Sequence, residues 1–185
     1  MPHILIISAS VREKRNSHRV ALFFKKFIDD NKYGTCEIAD LNEYRFPIFN
    51  ERLMFQKEPA ANVLEFAERV KKADGVIIVT PEYNGGYPAA LKNIVDLLYN
   101  EWHHKPIAIS TVSNGAFGGS QVITSLQFSL WKIRALTVTA MFPVPDAPVS
   151  FTEDGAPANP EKENKRATIF VNELLLFIKA AEGMK

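Results

Sequence analysis

Residues 75–93 read GVIIVTPEYNGGYPAALKN. The first six, Gly75 to Thr80, are β-branched or small and carry no charge, and Asp74 and Pro81 bound them. Such a run has no polar face to give to water, so it predicts a strand buried on both sides. Pro81 to Gly86 then breaks the pattern with proline and paired glycine. A helix is expected from Pro88 to Asn100, with proline at its start, where the missing N–H costs nothing. Leu91, Ile94, Val95, Leu97 and Leu98 form its apolar arc. A doubly buried strand leading through a loop into an amphipathic helix is one half of a parallel βαβ unit.

The same alternation continues in both directions. Toward the N-terminus, His3 to Ala9 reads as a strand and Ser17 to Asn31 as a helix, with Val20, Phe24, Phe27 and Ile28 on one face. Thr35 to Asp40 is a weaker strand, Leu41 to Pro59 a polar-aromatic loop, and Ala60 to Lys72 a helix. Toward the C-terminus follow a strand at Pro106 to Val112, a helix at Ser120 to Arg134 and a strand at Leu136 to Phe142. A Pro-rich loop reaches Pro160, and a last helix carries Ala167, Phe170, Val171, Leu174, Leu175 and Ile178. Five strands alternating with five helices predict an α/β fold in three layers, a parallel sheet covered on both faces. No linker or repeat divides residues 1–185, so one domain is expected.

Composition narrows the function classes. Lys plus Arg number 22 against 21 Asp plus Glu, a net charge of +1. That balance argues against nucleic-acid binding through a broad basic face, and against the acidic surface by which one-electron carriers steer their partners. Cys36 is the only cysteine, so no internal disulfide and no cysteine-rich metal site can form. It reads as a buried or half-buried strand residue in a reducing compartment. No apolar run approaches the length of a membrane span or a signal segment, and a cytoplasmic protein is expected.

In folds of this kind ligands bind beyond the carboxyl ends of the strands. Three loops stand there. Ser8-Ala9-Ser10-Val11-Arg12, continuing through Arg15, Asn16, Ser17 and His18, is rich in hydroxyls and opens a helix. It lacks both the Gly-Lys-Ser/Thr ending of a P-loop and the Gly-x-Gly-x-x-Gly fingerprint. Its donors suit a terminal phosphate monoester at a helix N-terminus. The competing reading is an ordinary helix start, with Ser17 as N-cap and both arginines in water. Pro81-Glu82-Tyr83-Asn84-Gly85-Gly86-Tyr87-Pro88 offers close backbone approach and an aromatic ring to lie against a flat ligand. Ser113-Asn114-Gly115-Ala116-Phe117-Gly118-Gly119-Ser120 is a glycine-rich strand-to-helix passage, a pattern that is common by itself.

Taken in order, the three loops resemble the NADPH-dependent FMN reductase family. Its pattern is roughly G-S-x-R-x-G-R-x-x-x-x-V-A, then P-E-Y-N-G-S-x-P-x-x-L-K-N-x-x-D, then K-P, an apolar strand and S-x-G-x-x-G-G. Ser10, Arg12, Arg15, Val20 and Ala21 fall in step with the first. Pro81 to Gly85, Pro88, Leu91, Lys92, Asn93 and Asp96 match the second; Lys105, Pro106, Ser113, Gly115, Gly118 and Gly119 match the third. The sequence departs from the pattern at Ala9, at Gly86 and at Ser17-His18. The resemblance implies a flavodoxin-like sheet of order 2-1-3-4-5 and non-covalent FMN, with NADPH or NADH as co-substrate. It implies that Ser10, Arg12, Ser17 and His18 surround the phosphate, with Arg15 assisting. Pro81, Glu82, Tyr83, Asn84 and Gly85, with Ser113, Asn114, Gly115 and Gly118, would border the flavin ring.

No side chain is assigned as a catalytic acid or base, because the flavin carries the redox chemistry. His103 and His104 read as residues at a helix C-terminus, and Asp146, Glu153 and Asp154 as solvated loop carboxylates, so no metal is expected. The apolar arcs of the helices at 88–100 and 120–134 are broader than one sheet contact needs. Each is expected to meet a second subunit, giving a homodimer or homotetramer. The expected activity is two-electron, ping-pong reduction of small quinone, flavin or azo acceptors. The rival classes are a one-electron flavodoxin-type carrier and a non-catalytic flavin-sensing protein.

Overall fold

Gly75 to Thr80 is fully buried in the computed structural model, which describes residues 1–184. The strand β3 (Gly75–Pro81) lies at the centre of a five-stranded sheet. Around it stand β1 (His3–Ser8), β2 (Thr35–Asp40), β4 (Pro106–Val112) and β5 (Leu136–Val144), in the order β2-β1-β3-β4-β5. All four pairings are parallel. The order reverses between β1 and β3, and a ligand crevice is expected beyond the carboxyl ends there.

Alternate residues of the strands enter two separate cores. Leu5, Ile7, Val76, Ile78, Ile107 and Ile109 point to one face. They pack with residues of α3 (Ala61–Lys72), α4 (Ala89–Leu97) and α5 (Ser120–Lys132). Ile4, Ile6, Ile77, Val79 and Ala108 point to the other, beneath α1 (Asn16–Asp30) and α7 (Pro160–Glu182). An aromatic group made by Phe23, Phe24, Phe142, Phe151 and Phe170 fills that second layer, with Phe24 and Phe142 edge to face at 4.9 Å. The period of two explains why these strands read as unbroken apolar runs: both faces are covered.

Three local expectations are corrected. The segment 41–59 holds a short helix, α2 (Leu41–Tyr44), and a 3-10 turn at Leu53–Phe55. Asp40 starts α2 by accepting from the Asn42 amide at 3.0 Å, a polar N-cap signal legible in hindsight. The Pro-rich loop is more than a connection, since it contains α6 (Ala147–Ser150) and buries Phe151. Leu91, Ile94, Val95, Leu97 and Leu98 are all buried within the chain, so the breadth of the apolar arc of α4 is taken up by the chain's own core. Trp102, fully buried on the 3-10 turn after α4, extends the same layer. Cys36 is half-buried on β2, as read. Its thiol is pushed up to about 12, first by burial and then by its hydrogen bond to Asp29.

Candidate flavin site

The loops leaving β1, β3 and β4 meet around a cleft of about 540 Å³, within the span of roughly 300–1,000 Å³ usual for small-molecule sites. Ser10, Arg12, Arg15, Ser17, Pro81, Glu82, Tyr83, Ser113 and Asn114 line it, together with Glu13, Lys14, Asn16 and Val112. Nine of the residues singled out from sequence thus converge. His18, Asn84, Gly85, Gly115 and Gly118 do not line the cleft.

The first loop gathers hydroxyls and arginines at the cleft. The helix α1 begins at Asn16, with Arg15 at the N-cap position making no side-chain cap bond. Ser17 is therefore not the N-cap. It sits inside the first turn, 2% exposed; the residue lines the cleft, and its buried Oγ has no hydrogen-bond partner among the described residues. A buried hydroxyl without a partner is costly, and it stands in the first helical turn, where the His18 amide already donates to the Arg15 carbonyl at 3.3 Å. Such a hydroxyl and the positive end of the helix dipole suit an anion. Ser10 is also buried; its Oγ shares a hydrogen bond with the Tyr83 hydroxyl at 2.8 Å. The Arg12 guanidinium lies 5.5 Å from the centre of the Tyr83 ring, and the residue is exposed.

Arg15 behaves differently from Arg12. Its guanidinium forks onto the buried carboxylate of Asp40 and also donates to the Ser10 carbonyl at 2.9 Å. His18 Nδ1 stands 3.0 Å from Ser8 Oγ and 3.6 Å from Asp40 Oδ2. Burial, then the charge of Arg15, lowers the His18 pKa below its ordinary value. Two features of this loop escaped the sequence reading. Asp40 lies at the end of another strand. Lys14 has φ of 50° where the family pattern carries glycine, the residue that tolerates this region best. Ala9, a departure that raised the same question, has no positive φ.

The other two loops form the far wall. Tyr83 and Gly86 exchange backbone hydrogen bonds at 2.8 and 3.1 Å, closing a tight turn over Asn84 and Gly85. Both central residues have positive φ, 53° and 79°, which is why Asn-Gly stands there. The turn carries the Tyr83 ring to the cleft. In the third loop the Gly115 amide donates to Ser113 Oγ at 3.2 Å, and that hydroxyl donates to the Gly115 carbonyl at 3.1 Å. Gly118 is buried. A Cβ there would stand 2.9 Å from the Val144 amide nitrogen, so glycine lets the loop lie against the end of β5.

Comparison with known proteins decides the family. The sequence model of the NADPH-dependent FMN reductases matches residues 2–148. The chain belongs to that family. Among curated relatives, an NAD(P)H-dependent FMN reductase of Saccharomyces cerevisiae is 31% identical over 166 residues, covering 82% of this chain and 86% of the relative. An NADPH azoreductase of a Bacillus species is 31% identical over 158 residues, covering 85% of this chain and 84% of its own. Among solved structures, a flavoenzyme NAD(P)H:acceptor oxidoreductase of Paracoccus denitrificans superposes with a TM-score of 0.81 at 22% identity, covering 98% of this chain and 99% of that one. That likeness shows the shared flavodoxin-like fold. The residues present fit the FMN that the family implies. The cleft has a buried, unpartnered hydroxyl at a helix N-terminus, a cation at Arg12 and an aromatic wall at Tyr83.

Proposed function

We propose that the chain is an NAD(P)H-dependent oxidoreductase that holds FMN non-covalently and reduces small quinone, flavin or azo acceptors by two-electron, ping-pong turnover. The observation that carries this reading is Ser17, which lines the cleft at the start of α1 and whose buried hydroxyl has no partner among the described residues. Bound FMN supplies the redox chemistry, taking two electrons from a nicotinamide and yielding them to an acceptor. The protein's part is placement. Ser10, Ser17, the first amides of α1 and Arg12 would hold the phosphate, and Tyr83 with Ser113 and Asn114 would border the ring. Among the residues lining the cleft, Glu13 and Glu82 are the carboxylates. A site with so little negative charge favours a reduced, anionic flavin.

NADPH azoreductase and quinone reductase are names carried by relatives, and they supply the acceptor classes. Phe117, Phe128 and Trp131 are 83%, 61% and 65% exposed, and they favour a homo-oligomer joined through α5 and the loop before it. A cytoplasmic setting fits a chain whose one thiol has no second cysteine to pair with.

The test is a pair of binding isotherms, FMN against riboflavin, for wild type and Arg12→Ala. The substitution should weaken FMN by about 1.5–3 kcal/mol, the usual worth of a hydrogen bond to a charged group. Riboflavin, which lacks the phosphate, should be unaffected. Equal wild-type affinity for the two flavins would reduce the first loop to an ordinary helix start.

A further inference from the structure

Arg12 and Arg15 lie three residues apart on one loop, yet of the two only Arg15 has an acidic partner among the described residues. Both prongs of Arg15 meet Asp40, and one of them also holds the Ser10 carbonyl. Asp40 is the last residue of β2, 5% exposed and outside the cleft lining. Its Oδ1 also accepts from the Asn42 amide at 3.0 Å. One buried carboxylate therefore ties the end of β2 to the first loop through a fork whose geometry only a guanidinium provides.

We infer that Asp40 is a positioning residue of the anion site, acting through Arg15, and that Arg15 is a strut of the loop rather than a ligand of the phosphate. This rests on the reading that the cleft binds FMN through its phosphate. Residues 11–14 are exposed, and Lys14 holds a left-handed conformation that a non-glycine residue adopts at a cost. Without an anchor such a segment samples many arrangements. Fixing the Ser10 carbonyl fixes the register of the Ser10 hydroxyl and the Arg12 side chain, so that less ordering remains when an anion arrives. The charges agree: Asp40 neutralises Arg15, leaving Arg12 as the arginine on the cleft that no carboxylate pairs. Removing one partner of a buried fork leaves the other uncompensated, so the two residues should behave as a unit.

The experiment measures FMN and riboflavin affinities for wild type, Asp40→Asn, Arg15→Lys and the double variant, with melting curves for each. Asp40→Asn and Arg15→Lys should each weaken FMN about tenfold and leave riboflavin unchanged, and the double variant should be no weaker than either single one. A direct phosphate ligand predicts the opposite pattern. Arg15→Lys would keep near wild-type affinity because the charge remains, and Asp40→Asn would tighten FMN by releasing Arg15 into the cleft. Either result overturns the strut. Equal losses for FMN and riboflavin would overturn it too, marking a general role in the fold. Should Asp40→Asn fail to fold, Arg15→Lys alone decides between strut and ligand. Equal wild-type affinity for the two flavins would instead remove the phosphate reading on which the strut depends.

Discussion

His18 lies between Ser8 and Asp40 in the first turn of α1, partly buried and beside the Arg15 charge. Burial first and the arginine second disfavour the imidazolium; they outweigh the opposing pull of the Asp40 and Glu43 carboxylates and lower its pKa from the ordinary 6.5. Folding therefore keeps this histidine neutral. Above pH 6.5 the ring is neutral in both states and the stability is fully present. As pH falls below that value the unfolded chain takes the proton first, and stability is lost until the folded ring protonates as well. His18→Gln should flatten part of that decline: melting temperatures of variant and wild type should converge between about pH 7 and pH 5. Parallel curves across that window would mean that the ring titrates alike in both states. At this scale the sequence showed which hydroxyls and arginines shared a loop, because they are neighbours in the chain. It could not show that Asp40, 25 positions beyond Arg15, closes the same network, since that contact exists only once β2 lies beside β1. Nor could spacing distinguish two arginines whose partners differ.

The passage from β4 into α5 turns on Gly118 and Gly119, with φ of 60° and 76°. The Thr111 hydroxyl donates to the Gly118 carbonyl at 2.7 Å, and a Cβ on Gly118 would meet the backbone at Val144 and Pro145. Gly118→Ala should cost about 1–3 kcal/mol of stability, the scale of a residue forced into a sparsely populated region, read from denaturant unfolding. An unchanged midpoint would show that β5 yields to make room. Strands and helices were legible here because both sheet faces are covered and each strand became an uninterrupted apolar run. Helix faces were less legible. The arc of α4 looked too wide for one contact, but its residues share one core with Trp102 and α3, and the whole arc is interior. On α5 the same reasoning fared differently: Leu126 and Leu130 are buried, while Phe128 and Trp131 stay exposed with ring centres 5.8 Å apart. Composition alone cannot tell a helix wrapped by its own chain from one left uncovered.

For the molecule as a whole, that uncovered pair is where a second copy is expected to pack. Wild type should sediment as a dimer or larger at micromolar concentration. Trp131→Glu should shift it to monomer with little change in melting temperature, because an exposed side chain carries little of the core. A monomeric wild type would assign the patch another role. No helix among the described residues is long and apolar enough to cross a membrane. The larger claim is that this sheet presents one flavin, held by its phosphate, to a nicotinamide and then to an acceptor. The most direct test mixes the FMN-loaded protein with NADPH, and separately with NADH, in the absence of oxygen while the visible flavin absorbance is followed. The account predicts that at least one nicotinamide bleaches the flavin with no partner reductase present, and that adding a quinone restores the colour. Absorbance left unchanged by both nicotinamides would contradict it and point instead to a carrier or a sensor.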